Sequence, residues 1–142
     1  MNKIFEYIED HIEDTIDLLF KMVAQPSISA QNIGFDKAPG LMIDIFNDHG
    51  FDSQIIPASP NGHPSVIGLN LGNYDKTLLF YTHYDVQPPE PLDLWESEPF
   101  RPERRGDKLF GRGISDDKGN IAARLAAVRA FSEIDGKLPC GV

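Results

Sequence analysis

The sequence predicts an α/β fold, part of a mixed sheet flanked by helices, and three observations lead there. Apolar residues recur at helical spacing in two N-terminal stretches and again near the C-terminus. Short β-rich segments lie between them at residues 51–57, 65–71 and 76–84. The last of these leads through a long connection and a helix to a new strand beginning near Leu138, which is the order of a βαβ unit.

The first helix is expected over residues 3–24. Ile4, Ile8, Ile12, Ile16, Leu19, Phe20 and Val23 form its apolar stripe, acids fill the other face, and Pro26 stops it. The acidic face reads as solvated surface, and His11 among those acids as exposed. Residues 26–34, PSISAQNIG, form a loop rich in Ser, Asn, Pro and Gly. Asp36 is placed to cap a second helix that tolerates Pro39 in its first turn, buries Leu41, Met42, Ile45 and Phe46, and ends at Gly50. His49 falls in its last turn, where an imidazole suits the negative end of the helix dipole.

Residues 76–84 make the strongest strand signal, and the GNYDK turn at 72–76 suggests an antiparallel hairpin with residues 65–71. NGHP at 61–64 reads as a turn, with His63 a loop residue. Residues 88–107 are proline-rich and irregular, too long for a tight turn, with Trp95 and Phe100 expected to pin them to the domain. A helix over residues 117–133 follows, facing inward with Ile121, Leu125, Val128 and Phe131.

At 142 residues the chain suits one domain, and its 41% hydrophobic and 25% charged residues are ordinary for a globular protein. The net charge of −9 argues against nucleic acid, since the one dense basic run, residues 101–105, is interrupted by Glu103. Anionic membranes are disfavoured in the same way, and no apolar run is long enough to cross a bilayer. Cys140 is the only cysteine, so no intrachain disulfide can form. Acids interrupt the N-terminal apolar residues as they would not in a signal peptide, and a cytoplasmic protein is expected.

The chemistry gathers between residues 78 and 120. His83 and Asp85 stand two apart at a strand's C-terminal end, hence on one side, where open α/β sheets bind ligands. A neutral imidazole is a good zinc ligand, and a carboxylate on its other nitrogen fixes the tautomer. A surface His/Asp hydrogen bond is the commoner meaning of such a pair in isolation. GRGISDDKGN, residues 111–120, adds glycines that permit tight backbone turns and two aspartates before a helix. Asp117 reads as a helix cap, and Asp116 as a carboxylate able to bridge two cations if His83 is near. A phosphate-binding loop is the competing reading of these glycines, but two aspartates would repel phosphate and Lys118 precedes Gly119 instead of following it.

THYDVQP, the W-x-x-x-PF of residues 95–100 and LFGRGISDDKGN, in that order, resemble the metallopeptidase and deacylase family that includes acetylornithine deacetylase, succinyl-diaminopimelate desuccinylase and the carnosine dipeptidases. PSIS at residues 26–29 also resembles a family feature, and DVQP with SDDKG is closest to the dipeptidase-like subgroup. The resemblance implies a zinc-peptidase-like catalytic domain in which His83 is a ligand of one metal, Asp85 its orienting, catalytic carboxylate and Asp116 the bridge between both metals, with a cis peptide between Asp116 and Asp117. It implies two zinc ions per active site, with manganese or cobalt as substitutes, and a small peptide substrate hydrolysed by a water shared between the metals. The family's paired glutamates, its other ligands and its inserted dimerisation domain follow the strand near Leu138. Residues 1–142 are therefore expected to be the N-terminal portion of a catalytic domain, inactive alone and homodimeric at full length. A non-catalytic pseudoenzyme or interaction module of the same fold is the alternative, and an N-acyl amino acid deacylase the third reading.

Overall fold

The computed structural model describes residues 1–60 and 62–142. The expected first helix is two helices, α1 (Asn2–Asp10) and α2 (Ile12–Ala24). His11 leaves helical geometry between them, with φ −115° and ψ 23°. Its ring stacks on Tyr7 with centroids 3.9 Å apart, and its Nδ1 donates to the Tyr7 carbonyl at 2.8 Å. His11 is thus half-buried and engaged, not a free surface residue as expected. The break lets α1 and α2 both pack on the C-terminal helix, burying Ile4 at one end and Val23 at the other, while Ile12 at the break itself stays exposed.

Helix α3 (Ala38–Asp48) carries Pro39 in its first turn as expected, but Asp36 does not cap it. The N-cap is Lys37, with no side-chain bond, and the chain enters through backbone bonds from Lys37 and Ala38 to the Gly34 carbonyl at 3.2 and 2.9 Å. At its far end His49 Nδ1 donates to the Ile45 carbonyl at 2.7 Å, so this imidazole satisfies a helix-end acceptor.

Strands β1 (Asp52–Ile56) and β2 (Ser65–Leu69) are where the sequence puts them, paired antiparallel from Asp52 opposite Leu69 to Ile56 opposite Ser65. Of the expected NGHP turn, Asn61 lies outside the described residues. The expected hairpin between residues 65–71 and 76–84 does not form. Gly141–Val142 lies between these segments: Asn70 and Val142 exchange backbone bonds of 2.7 and 3.0 Å, and Thr77 bridges Gly141 in parallel. The segment arriving from the last helix therefore lies where the hairpin partner was expected, meeting Asn70, just past β2, on one side and Thr77 on the other. Residues 78–82, the strongest strand signal, join no ladder among the described residues, and Leu79 and Tyr81 are 84% and 86% exposed. β-propensity marks a segment that fits a pleated surface, and a ladder also needs a neighbour.

The irregular stretch holds more order than expected, because its last residues form β3 (Glu103–Arg105), paired with β4 (Lys108–Phe110). Trp95, half-buried, donates from Nε1 to the Pro89 carbonyl at 2.7 Å within the stretch itself, and meets the chain beyond it through Arg112, which lies over the indole 5.2 Å from the ring centroid. A wide turn, Ile114–Lys118, precedes α4 (Gly119–Asp135), so the helix starts two residues later than expected and runs two further.

One core joins these parts. Leu19, Met22 and Val23 of α2 meet Met42 and Ile45 of α3 and Ile121, Ala122 and Leu125 of α4, with Val66 of β2 packed against them. The core lies directly under the turn before α4, and this fixes where the residues of that turn point.

Two substitutions test this packing. Ile45 is 1% exposed, and Ile45→Ala should destabilise the protein by about 2–5 kcal/mol, seen as a lower urea midpoint at unchanged slope. Gly119→Ala should also destabilise, by about 2 kcal/mol or more, although alanine gains roughly 1 kcal/mol of helix propensity. A Cβ at position 119 would stand 2.2 Å from the Ile114 carbonyl oxygen, a backbone atom that cannot step aside, and a neutral or stabilising result would show that the turn is softer than its geometry.

Candidate metal centre

His83 and Asp85 do share one side of the chain. His83 Nδ1 lies 3.0 Å from the Asp85 carbonyl oxygen and 3.2 Å from its carboxylate Oδ1, so the ring donates here and its tautomer is set with Nδ1 protonated. Asp85 Oδ2 accepts a 2.6 Å hydrogen bond from Ser29 Oγ. The neighbouring chain is held as firmly: Val86 N donates to the Ser27 carbonyl at 2.8 Å, and the fully buried Ser27 hydroxyl donates to the Tyr84 carbonyl at 2.6 Å.

The turn before α4 brings the second carboxylate. Gly113, at φ +94°, starts it, and a Cβ there would meet Val86 Cγ1 at 2.7 Å, so glycine is needed for both conformation and space. The backbone amide of Lys118 closes the turn on the Gly113 carbonyl at 3.0 Å. Within it Asp116 departs from helical geometry at φ −137° and ψ 95°, and the Asp116–Asp117 peptide is cis, as the resemblance implies. Asp116 therefore turns outward, and its Oδ1 stands 3.0 Å from His83 Nε2.

Asp117 does something other than the capping expected of it. No side chain caps α4. One Asp117 oxygen accepts from the His83 backbone amide at 3.3 Å, and the other accepts from the Asn120 side chain. Asp117 thus ties the helix start to the segment that carries His83. Burial alone would raise its carboxyl pKa, but these hydrogen bonds and the nearby His83 and Arg124 charges outweigh it, and the result is a lowered value.

Both nitrogens of His83 face carboxylate oxygens. Desolvation, the largest single influence, pulls its pKa down, yet the hydrogen bond to the Asp85 carbonyl and the charges of Asp85 and Asp116 together raise it above the ordinary value. A neutral ring with Nδ1 protonated would point its Nε2 lone pair at Asp116, an arrangement that needs a proton or another cation between them. The donor set fits a divalent metal: an imidazole nitrogen with its partner nitrogen anchored, and a carboxylate oxygen at a separation close to the roughly 3.3 Å expected of two ligand atoms on one tetrahedral zinc. Among the described residues no group of three or more His, Cys, Asp or Glu side chains converges to hold a metal.

Two supporting residues were not anticipated. Lys118, 2% exposed, donates from Nζ to the Met22 and Gln25 carbonyls at 3.0 and 2.8 Å, across the C-terminal end of α2. Burial pulls its ammonium down to about 8, against the opposing influence of Asp85. Its order relative to Gly119 counted only against a phosphate loop, and no periodicity marks a lysine as buried. Ser29 had a signal, the PSIS motif, but nothing local tied it to Asp85, 56 residues away. His63 stands one residue out from the pair, with its ring stacked on Phe35 and its Nε2 on the Ser29 carbonyl at 3.0 Å.

The chain is 34% identical over 120 residues to a succinyl-diaminopimelate desuccinylase of Methylococcus capsulatus, covering 84% of this chain and 30% of that protein. It is 30% identical over 162 aligned positions to a Beta-Ala-His dipeptidase of Rattus norvegicus, covering 100% of this chain and 32% of the relative. The solved structure of human carnosine dipeptidase 1 superposes with a TM-score of 0.88 at 28% identity, over 99% of this chain and 32% of that one. The chain thus spans about a third of the length of the relatives it matches. Residues 79–142, which hold His83, Asp85 and Asp116, match the sequence pattern of Peptidase family M20/M25/M40, and it is the proteins of this family that the chain resembles in sequence and in fold.

Proposed function

We propose that this chain is the N-terminal portion of the catalytic domain of a metal-dependent hydrolase that cleaves the amide or peptide bond of a dipeptide or other small peptide. The observation that carries this reading is the approach of Asp116 Oδ1 to His83 Nε2 at 3.0 Å, with Nδ1 of the same ring anchored on Asp85. The peptidase family that the chain resembles supports the reaction class, and the dipeptidase relatives support a small peptide as substrate.

In this reading His83 would hold a metal through Nε2, and the Asp116 carboxylate would hold metal beside it. Asp85 acts on the ring instead of on the substrate: it keeps Nδ1 protonated, leaves Nε2 free as a donor to metal and raises its basicity. Asp117 and Lys118 hold the turn so that Asp116 faces His83. Bound zinc, or manganese in its place, would supply Lewis acidity toward the scissile carbonyl and a lowered pKa for water. Two protein donors are fewer than the three usual at catalytic zinc, so the remaining ligands and the general base belong to the larger protein. Residues 1–142 alone should bind metal weakly and hydrolyse nothing.

The test uses the full-length protein with a panel of dipeptides and N-acyl amino acids, since the relatives include both a dipeptidase and a desuccinylase. His83→Ala and Asp116→Ala should each lose metal and lower kcat/KM by more than the roughly 10- to 100-fold typical for loss of an outer partner, and Asp85→Asn should fall within that range. Wild-type turnover in His83→Ala or Asp116→Ala would overturn the assignment. A wild-type protein that binds no metal and cleaves nothing in the panel would favour the non-catalytic reading.

A further inference from the structure

We infer that Ser29 is a positioning residue of the metal centre, acting through Asp85 on the orientation of the His83 imidazole; this rests on the metal-site reading above. The two oxygens of Asp85 are divided between two partners. Oδ1 faces His83 Nδ1 at 3.2 Å, beside that nitrogen's 3.0 Å hydrogen bond to the Asp85 carbonyl, and Oδ2 accepts the Ser29 hydroxyl at 2.6 Å. A carboxylate held at one oxygen alone is restrained in its rotation about the last side-chain bond by that single contact. With Ser29 on Oδ2, Oδ1 is held toward the ring, and the ring in turn is held toward Asp116.

Ser29 is built to do this, because its own backbone is fixed on both sides. Ile28 pairs with Val86 in a parallel bridge and exchanges backbone bonds of 2.9 and 3.1 Å with Ile33, which closes the loop. The Ser29 carbonyl accepts from His63 Nε2 at 3.0 Å, and the His63 ring is stacked on Phe35 with centroids 3.8 Å apart. Ser27 and Ser29 differ in what they hold: the Ser27 hydroxyl donates to the Tyr84 carbonyl, a backbone contact, whereas the Ser29 hydroxyl donates to the carboxylate on the Nδ1 side of the imidazole. The PSIS loop is thereby a brace laid alongside residues 84–86, and its last serine reaches the site's chemistry.

A hydroxyl that only supported the fold would change stability and leave metal binding alone, so the two roles separate by experiment. In the full-length protein, zinc affinity is measured by competition with a chelator, alongside thermal midpoint, kcat and KM. Ser29→Ala should weaken zinc binding about 3- to 10-fold, less than the roughly 10- to 100-fold of a direct outer partner, and should lower kcat with little change in KM. Ser29→Thr, which keeps the hydroxyl, should stay within about twofold of wild type. In an Asp85→Ala background, Ser29→Ala should add nothing, since two residues acting through one contact are not additive. Unchanged zinc affinity in Ser29→Ala, equal losses in the Ala and Thr variants, or a full further loss in the Asp85→Ala background would each overturn the role of Ser29. Unchanged zinc affinity in His83→Ala would instead overturn the metal-site reading itself.

Discussion

The imidazole of His83, flanked at both nitrogens by carboxylates from two separate parts of the chain, is the contact on which this structure turns. Asp85 is its near neighbour in sequence, but Asp116 arrives by way of the proline-rich stretch, the β3–β4 hairpin and the glycine-started turn before α4. An exposed ring between two carboxylates gains little stability in water, where ion pairs of this kind contribute about 0–1 kcal/mol. The arrangement makes sense as a site that concentrates negative charge and a nitrogen lone pair at one point, which is what a divalent cation needs.

The scaffold spends stability on holding that point still. Lys118 buries an ammonium between the Met22 and Gln25 carbonyls, where the C-terminal end of α2 offers acceptors and a negative dipole. Burial disfavours the charged form, and its depressed pKa records that cost. The return is mechanical: α2, the core beneath it and the turn carrying Asp116 become one unit. Asp117 adds the other tie, from the start of α4 to the His83 amide. The segment carrying His83 and the helix start are thus joined through a side chain.

Local pattern revealed the scaffold and the two halves of the site. Helices α3 and α4, strands β1 and β2, and the pairing of His83 with Asp85 follow from spacings of a few residues, the range over which periodicity carries information. The sequence pattern failed where a distant partner decides the outcome. Residues 76–84 have a strand's composition, but Gly141–Val142 stands between them and Asn70, where the hairpin partner was expected. His11 looked like one more polar residue on an amphipathic helix, and its stacking on Tyr7 marks the place where that helix breaks. Asp117, Lys118 and Ser29 work through partners 34, 93 and 56 positions away, and no local rule distinguishes an aspartate that caps a helix from one that ties it to a distant segment.

The central claim is that His83 and Asp116 hold the same metal ion. Crystals of the full-length protein grown with zinc, with diffraction recorded on either side of the zinc absorption edge, test it most directly. The account predicts an anomalous peak about 2.0–2.2 Å from both His83 Nε2 and an Asp116 carboxylate oxygen, with Asp85 still on Nδ1. Zinc bound elsewhere in the protein, with His83 Nε2 still in its direct 3.0 Å contact with Asp116, would contradict it.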